Sequence, residues 1–369
     1  MSDCDVKEFK LCELLKIYNG TKYDHLNKGD IPLYGSGGLM SHVDEALYSG
    51  EAILLPRKGT LSNIMYVNES FWTVDTMYYA VVNDKLADAF YLYSYLSQLD
   101  LSNLDSGSTL PSMTKSAYES IVVKLPDLKI QKAVATILFN IRKKLETNNK
   151  INQELEAMAK TLYDYWFVQF DFPDQNGKPY KSSGGKMVYN PELKREIPEG
   201  WGVARLDQLQ IATGKRDANF GTENGKYDFW TTANSPIKAD EFSFEGKAIL
   251  IAGNGNFYVN FTDGKFEAYQ RTYVIQSEDE KMLIFMYMAC LQSAEKLRKA
   301  SNGSIIKYIT IGDVNNISSP YDHNVVDEFV KIYRPLIDQI SKNKKQNQEL
   351  TQLRDWLLPM LMNGQVKVE

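Results

Sequence analysis

The sequence predicts an α+β fold with a pseudo-twofold internal repeat, in which two long antiparallel coiled-coil helices separate two similar β-rich domains. The main observation is a repeated hexapeptide: KINQEL at 150–155 returns as KQNQEL at 345–350, an offset of 195 positions. Each copy lies in a long stretch of helical periodicity that follows a β-rich segment of similar length. The predicted domain boundaries are 1–125 for the first β-rich domain, 126–197 for a central helix and linker, 198–320 for the second β-rich domain and 321–369 for a distal helix.

Matched strands and turns extend the repeat through both β-rich domains. The segment EAILL at 51–55, followed by Gly59, corresponds to KAILI at 247–251, followed by Gly255, at an offset of 196. The apolar run from Ile53 to Leu55 predicts a fully buried strand that ends in a glycine turn. Earlier in each domain a short apolar element ends at Gly20 or at Gly214, and a basic residue follows within two positions.

The long helices carry apolar residues at alternating spacings of three and four over about four heptads, which is typical of a coiled-coil seam. A polar residue, Asn148 or Asn343, lies at the same place in each seam and can fix the register. We predict that the two helices meet; the alternative is that each packs only on its own domain. The predicted seam consists of Ile137, Ile141, Asn148, Leu155, Leu162, Ile332, Leu336, Asn343, Leu350 and Leu357. A helix of about 38 residues at 1.5 Å per residue is a rod of roughly 55–60 Å.

The segment between the halves contains Pro173, Pro179 and a Gly/Ser cluster at 182–185, which predicts an extended and exposed connection. Trp201 is expected to anchor the start of the second domain. Tyr78, Tyr79 and their neighbours are interpreted as aromatic core rather than as a base-stacking surface.

Composition and charge limit the possible functions. Residues 1–125 carry 10 Lys/Arg against 16 Asp/Glu, and the whole chain has a net charge of −5, so no basic face is evident. Three histidines argue against a His-rich metal site, and no methyltransferase, phosphate-loop or dinucleotide motif is present. Three cysteines without metal-like spacing, and no signal-like or membrane-spanning run, predict free thiols in a reducing cytoplasm.

Several ordered motifs together resemble the DNA-specificity (S) subunit of type I restriction-modification systems over essentially the whole chain. The segment YDYWFVQFDFP at 163–173, with GKPYK at 177–181 and IPEGW at 197–201, is similar to the central conserved region of that family. The tail LRDWLLPML at 353–361 resembles its distal counterpart. YGSGG at 34–38, RKGT at 57–60 and FWTVDT at 71–76 are similar to one class of target recognition domain.

The resemblance implies two target recognition domains, each reading one half of a bipartite sequence in double-stranded DNA. It also implies that the helices set the gap and dock two methyltransferase (M) subunits, which bind S-adenosylmethionine and methylate adenine. Restriction (R) subunits would add cleavage, and this chain would carry no catalytic site and no cofactor. The alternative is a scaffold of two spaced globules that reads no bases, for which the low net charge is the best support.

Loop residues that follow strands or glycine turns are the candidate DNA contacts, although each is also compatible with an ordinary solvated turn. In the first domain they are Lys22, Arg57, Lys58, Thr60, Ser108, Thr109 and Lys115. In the second domain they are Lys215, Arg216, Asn254, Asn256, Ser304, Lys307 and Tyr308. The segment AGNGN at 252–256 replaces PRKGT at 56–60, so the two domains are expected to read different sequences.

Overall fold

The computed structural model describes residues 6–101, 111–300 and 308–362, without the side chains of 297–300. The chain divides into two compact units, Met1–Thr147 with Gln346–Glu369, and Asn148–Lys345. Both divisions fall inside long helices, so each unit combines one β-rich domain with parts of both helices. The two units therefore do not coincide with the four consecutive segments into which the sequence was divided.

The first unit contains a β-rich domain with three short helices. Its strands are β1 (Lys7–Lys10), β2 (Leu15–Asn19), β3 (Lys28–Gly35), β4 (Gly38–Val43), β5 (Tyr48–Pro56), β6 (Met65–Thr73), β7 (Met77–Val82) and β8 (Val122–Leu125). Its short helices are α1 (Leu11–Leu14), α2 (Ala89–Leu96) and α3 (Lys115–Glu119). Six strands form one sheet in the order β2-β7-β5-β6-β3-β4, and β1 pairs separately with β8. The predicted strand Ile53–Leu55 lies in β5 and is fully buried.

The second unit contains more and shorter strands. They are β9 (Met187–Asn190), β10 (Arg195–Pro198), β11 (Gly202–Arg205), β12 (Gln210–Thr213), β13 (Tyr227–Trp230), β14 (Ile237–Ala239), β15 (Phe244–Glu245), β16 (Ala248–Ala252), β17 (Val259–Thr262), β18 (Lys265–Ala268), β19 (Thr272–Gln276) and β20 (Ser318–Tyr321). Its helices are α5 (Glu280–Ala300) and α6 (Ile311–Asn315), with 3-10 turns at Leu206–Gln208 and Ala218–Phe220. Two four-stranded sheets have the orders β12-β19-β16-β17 and β14-β13-β18-β15.

Strand pairings repeat between the two domains as the sequence repeat predicts. In the first, β3 runs parallel to β6 and Tyr34 pairs with Thr73. In the second, β13 runs parallel to β18 and Trp230 pairs with Ala268, at offsets of 196 and 195. The long strand β6 corresponds to two strands, β17 and β18, because the chain turns at Gly264 with φ +109°. This interruption divides the second domain's strands between two sheets.

Two long helices, α4 (Leu128–Tyr163) and α7 (His323–Met362), supply the coiled-coil elements. Within the second unit the side-chain amide of Asn343 donates to Asn152 Oδ1 at 2.8 Å. The rings of Tyr163 and Phe329 lie 6.0 Å apart in the same unit. Because higher numbers on one helix meet lower numbers on the other, the helices are antiparallel there. Within the first unit Leu361 is buried with Leu138 in one apolar cluster, which gives the same direction.

Of the ten predicted seam residues, three are buried, six are partly buried and one is exposed. Ile141, Asn148 and Asn343 are buried, whereas Ile332 is 49% exposed. Its neighbour Tyr333 is 2% exposed and takes the inward position at that turn. The predicted seam is wrong at Ile332 because the inward face there is set by packing on the second domain's aromatic core. The remaining seam residues, partly buried, are Ile137, Leu155, Leu162, Leu336, Leu350 and Leu357.

The segment after α4 folds into turns and a short strand pair, so the prediction of an extended connection is wrong, whereas most of residues 173–186 are exposed as predicted. A π-helical turn at Asp164–Val168 ends the long helix, and Phe170 follows with φ 65°. The Tyr180 ring stacks on Phe172 at 4.8 Å, and Trp201 packs on Phe172 at 4.9 Å. Strands β9 and β10 pair antiparallel within this segment. Aromatic contacts therefore order a stretch whose Gly and Ser content suggested a linker.

Candidate nucleic-acid interface

The turn that joins β6 to β7 gathers two segments of the first domain. The N–H of Gly20 donates to the Met77 carbonyl at 2.9 Å, and the N–H of Arg57 donates to the Thr76 carbonyl at 2.8 Å. A Cβ on Gly20 would lie 2.0 Å from the Val74 carbonyl oxygen, so only glycine permits this close approach. The segments that follow β2 and β5 are thereby held at one end of the sheet.

A third segment, which leads into α3, joins the same cluster. The N–H of Gly59 donates to the Pro111 carbonyl, and the N–H of Met113 donates to the Arg57 carbonyl, both at 2.9 Å. The Tyr118 hydroxyl donates to the Pro56 carbonyl at 2.8 Å, and burial raises the pKa of this phenol well above its usual range. The loop after β5 is therefore fixed on both sides, which limits the positions of its side chains.

The second domain repeats this hydrogen-bond network at offsets of 194 to 196. The N–H of Gly214 donates to the Thr272 carbonyl at 2.9 Å, and the N–H of Gly253 donates to the Arg271 carbonyl at 2.8 Å. The N–H of Ile309 donates to the Gly253 carbonyl at 2.9 Å, as Met113 does to Arg57 in the first domain. Each domain therefore has an equivalent cluster of loops at one end of its sheet, which we call the interface cluster. It contains the loops at Gly20, Arg57 and Met113 in the first domain, and those at Gly214, Gly253 and Ile309 in the second. The side chains of the two clusters differ.

In the first domain the interface cluster carries exposed cations. Arg57 and Lys58 are both exposed, and the Arg57 guanidinium donates to the Asp75 carbonyl at 3.4 Å. Lys22, which follows the Gly20 turn, is also exposed. Thr60 is exposed two residues after Lys58. These side chains are brought to one region as the sequence suggested, and their contact with DNA stays a prediction.

Lys115 begins α3, close in sequence to the third segment of the cluster. Its ammonium lies 3.7 Å from the Glu119 carboxylate, and the two side chains are 47% and 36% exposed. An exposed ion pair of this spacing contributes little to stability. Lys115 can therefore exchange this partner for a phosphate at small cost.

Arg216 of the second domain occupies a more constrained position than an exposed phosphate contact. Its guanidinium binds Glu267 at 3.2 Å and Glu241 at 2.6 Å. Lys215, next to it, is exposed, with its ammonium 5.4 Å from the centre of the Phe244 ring. Sequence reasoning missed Glu267; the available signal was an acidic residue at the position that Trp72 occupies in the first domain.

The loop after β16 has Gly253 and Asn254 in place of the basic pair of the first domain, and Asn256 in place of Thr60. Asn254 forms a backbone bridge with Tyr308, and its side-chain oxygen is buried without a hydrogen-bond partner among the described residues. The Asn256 amide donates to the Tyr258 hydroxyl at 3.1 Å. Tyr308 is 70% exposed. Asn254, Asn256 and Tyr308 thus occupy the interface cluster of the second domain.

Four further candidate contacts lie outside the described residues. They are Ser108, Thr109, Ser304 and Lys307.

Two other features, metal sites and membrane spans, concern the described part of the chain. Over residues 6–101, 111–300 and 308–362, no group of three or more His, Cys, Asp or Glu is arranged to hold a metal ion. Among the helices described, none has the length and apolarity needed to cross a membrane.

Comparison with known proteins identifies the family. The model for the type I restriction modification DNA specificity domain matches residues 4–157 and again 198–352. The chain belongs to this family. The two matches correspond to the two halves of the repeat, and each covers one β-rich domain with part of a long helix.

Relatives and one solved structure agree with this assignment. The chain is 29% identical to the type I restriction enzyme MjaIX specificity subunit of Methanocaldococcus jannaschii over 73% of its own length and 66% of the relative's. It is 34% identical to the EcoDI specificity subunit of Escherichia coli over 47% of its own length and 40% of the relative's. The chain thus spans less than two thirds of the length of either relative.

The fold is that of a solved family member. The crystal structure of the type I restriction-modification system S subunit from M. genitalium is similar with a TM-score of 0.69 at 15% identity. The match covers 98% of this chain and 97% of that chain. The shared fold therefore comprises two β-rich domains and coiled-coil helices.

Proposed function

We propose that this chain is the DNA-specificity subunit of a type I restriction-modification complex and that each domain reads one half of a bipartite target. The observation that carries the proposal is the interface cluster, which is built by the same hydrogen bonds in both domains but presents different side chains. Arg57 and Lys58 occupy positions that Gly253 and Asn254 occupy in the second domain. Two clusters with the same backbone arrangement but different side chains suit a DNA duplex whose two half-sites have different sequences.

The helices would set the gap between the halves and dock two methyltransferase subunits. Support comes from apolar side chains on the outer face of α4 and of the turn after it, since Ile151, Met158 and Tyr165 recur every seven residues. They are 39%, 58% and 38% exposed. On α7, Leu353 and Trp356 are 42% and 61% exposed. Large exposed apolar residues at heptad spacing are typical of a surface that receives another helix.

The chain itself would perform no bond chemistry. S-adenosylmethionine would be bound by the methyltransferase subunits, which methylate adenine, and restriction subunits would add translocation and cleavage. This division of labour is carried over from the family resemblance. It predicts that the chain alone neither methylates nor cleaves DNA.

Binding selection tests the proposal. The full chain, assembled with the methyltransferase subunits of its own system, is mixed with a library of duplexes that contain two randomised half-sites at varied gaps. We expect recovery of one bipartite sequence with one gap length. Equal recovery of all duplexes would contradict the proposal.

The alternative is a structural scaffold that spaces two globules without reading bases. The net charge of −5 favours it, because proteins that bind nucleic acid usually present an excess of basic residues. Assembly with the methyltransferase subunits but no sequence preference in the selection would support the scaffold.

A further inference from the structure

Arg216 is held between two carboxylates in the interface cluster of the second domain. Its Nε donates to Glu267 Oε2 at 3.2 Å, and its Nη2 donates to Glu241 Oε2 at 2.6 Å. The guanidinium also lies 4.3 Å from the centre of the Phe220 ring. The Arg216 carbonyl accepts the N–H of Gln270 at 2.9 Å, so backbone and side chain are both fixed.

The two carboxylates that bind Arg216 differ in burial, and therefore in the cost of breaking their ion pair with Arg216. The Glu267 side chain is 0% exposed and accepts hydrogen bonds from the Ser243 hydroxyl at 2.7 Å and the Ala268 N–H at 2.9 Å. Removing Arg216 from Glu267 would leave a buried charge without its counter-ion, which is strongly unfavourable. The Glu241 side chain is 65% exposed, and breaking an exposed pair costs little.

We propose that Glu241 is an exchangeable internal ligand of Arg216 and that a DNA phosphate takes its place when the second domain binds. Glu267 is the positioning residue, because it holds the guanidinium in one orientation before and after the exchange. A phosphate offers oxygens with the charge and geometry of the departing carboxylate. This inference rests on the proposed function.

The first domain has the same three positions but no such ion pair. The N–H of Leu47 donates to the Phe71 carbonyl, and the N–H of Ser243 donates to the Phe266 carbonyl in the same way. Leu47 and Ser243 are 196 positions apart, and the same offset aligns Glu45 with Glu241. Lys22 aligns with Arg216 at the offset of 194 that relates Gly20 to Gly214, and Trp72 aligns with Glu267 at the offset of 195 that relates Phe71 to Phe266. These three positions therefore provide a natural control for the exchange.

The aligned residues behave differently. The Trp72 indole N–H donates to the Thr21 carbonyl at 3.1 Å, where Glu267 holds Arg216 in the second domain. Glu45 is exposed and forms no ion pair with Lys22 in the described part of the chain. Neutralising Glu45 removes the same charge at the matched position without releasing a cation.

The first experiment compares E241Q with E45Q. The full chain, assembled with its methyltransferase subunits, is titrated with a fluorescent 30-base-pair duplex of arbitrary sequence at several salt concentrations. We expect E241Q to bind roughly three- to fivefold more tightly than wild type at low salt, the equivalent of one exposed ion pair. E45Q should bind within about 1.5-fold of wild type, since exposed charges without close partners are largely screened.

The second experiment removes the buried pair as a unit. R216Q/E267Q leaves no uncompensated buried charge, so the domain should still fold. We expect weaker binding, and a slope of log affinity against log salt that is smaller by about one phosphate contact. Adding E241Q to this variant should give no further gain, because no cation is left to release.

Three outcomes would overturn the inference while the proposed function stands: E241Q binding no more tightly than wild type, E45Q giving the same gain, or the E241Q gain persisting in R216Q/E267Q. If the wild-type assembly does not bind the duplex even at low salt, both the inference and the proposed function fail.

Discussion

The side-chain amide of Asn343 donates to the side-chain oxygen of Asn152 at 2.8 Å, and both residues are buried where α7 meets α4 in the second unit. Gln339 also donates to Asn343 at 2.7 Å, one turn earlier on α7. A polar pair in an apolar seam lowers stability but favours a single register. The coiled coil that would set the gap between half-sites thus contains a polar pair that favours one register of its two helices.

Replacing one member of this pair should destabilise the chain more than replacing both. N343L leaves the Asn152 amide buried without its partner, and we expect a loss of about 1–3 kcal/mol in the free energy of unfolding. N152L/N343L buries only apolar groups and should be close to wild type. Chemical denaturation of the three proteins checks this, and equal stability of N343L and wild type would contradict it.

Gly20 should not tolerate a side chain. In G20A the new methyl group would press on the Val74 carbonyl oxygen, so we expect a loss of about 1–3 kcal/mol. G37A is the matched control, since a Cβ there meets nothing within 4 Å. Thermal unfolding of both variants measures the difference. A G20A protein as stable as G37A would show that the β6–β7 turn can move away.

Arg57 should read sequence in the first half-site. It is exposed at the end of β5, and its backbone is fixed by hydrogen bonds to Thr76 and Met113. We expect R57Q to cost about 1–3 kcal/mol of DNA binding and to relax the preference at one position of one half-site only. K85Q removes an exposed cation just past the opposite end of β7 and should change nothing. Binding selection with both variants is the measurement; a uniform loss over all sequences would instead make Arg57 a phosphate contact.

The described cysteines should differ in reactivity. Cys290 is buried, and burial raises the pKa of its thiol well above the usual range, so little thiolate forms. Cys12 is exposed. In a C4S background we expect one thiol to react quickly with a disulfide reagent and the other only after denaturation. Loss of the fast thiol in C12S assigns it, whereas rapid modification of Cys290 in the folded protein would contradict the buried placement.

Much of the fold followed from the repeat, because backbone pairing depends on where strands and turns fall rather than on their side chains. The offsets of 195 and 196 correctly matched β5 with β16, together with the turns at Gly59 and Gly255. Side-chain partners did not follow. Arg216 was predicted to be an ordinary phosphate contact, because no spacing rule connects it with Glu267, 51 residues later.

Two predictions from the sequence, the extended connection after α4 and the inward position of Ile332, were wrong for similar physical reasons. The segment 173–187 has the Gly and Ser content of a linker, but the stacking of Tyr180 on Phe172 and the contact with Trp201 order it. Ile332 fits the heptad pattern, but the seam turns toward Tyr333 where α7 packs on the second domain. In both cases long-range aromatic packing overrode the local pattern.

A map of methylated adenines in a genome that carries the methyltransferase subunits, with and without this chain, tests the proposed function most directly. We expect methylation to require the chain and to fall on one bipartite sequence with two unlike halves and one fixed gap. Methylation at the same sites without the chain, or at sites that share no bipartite sequence, would contradict it.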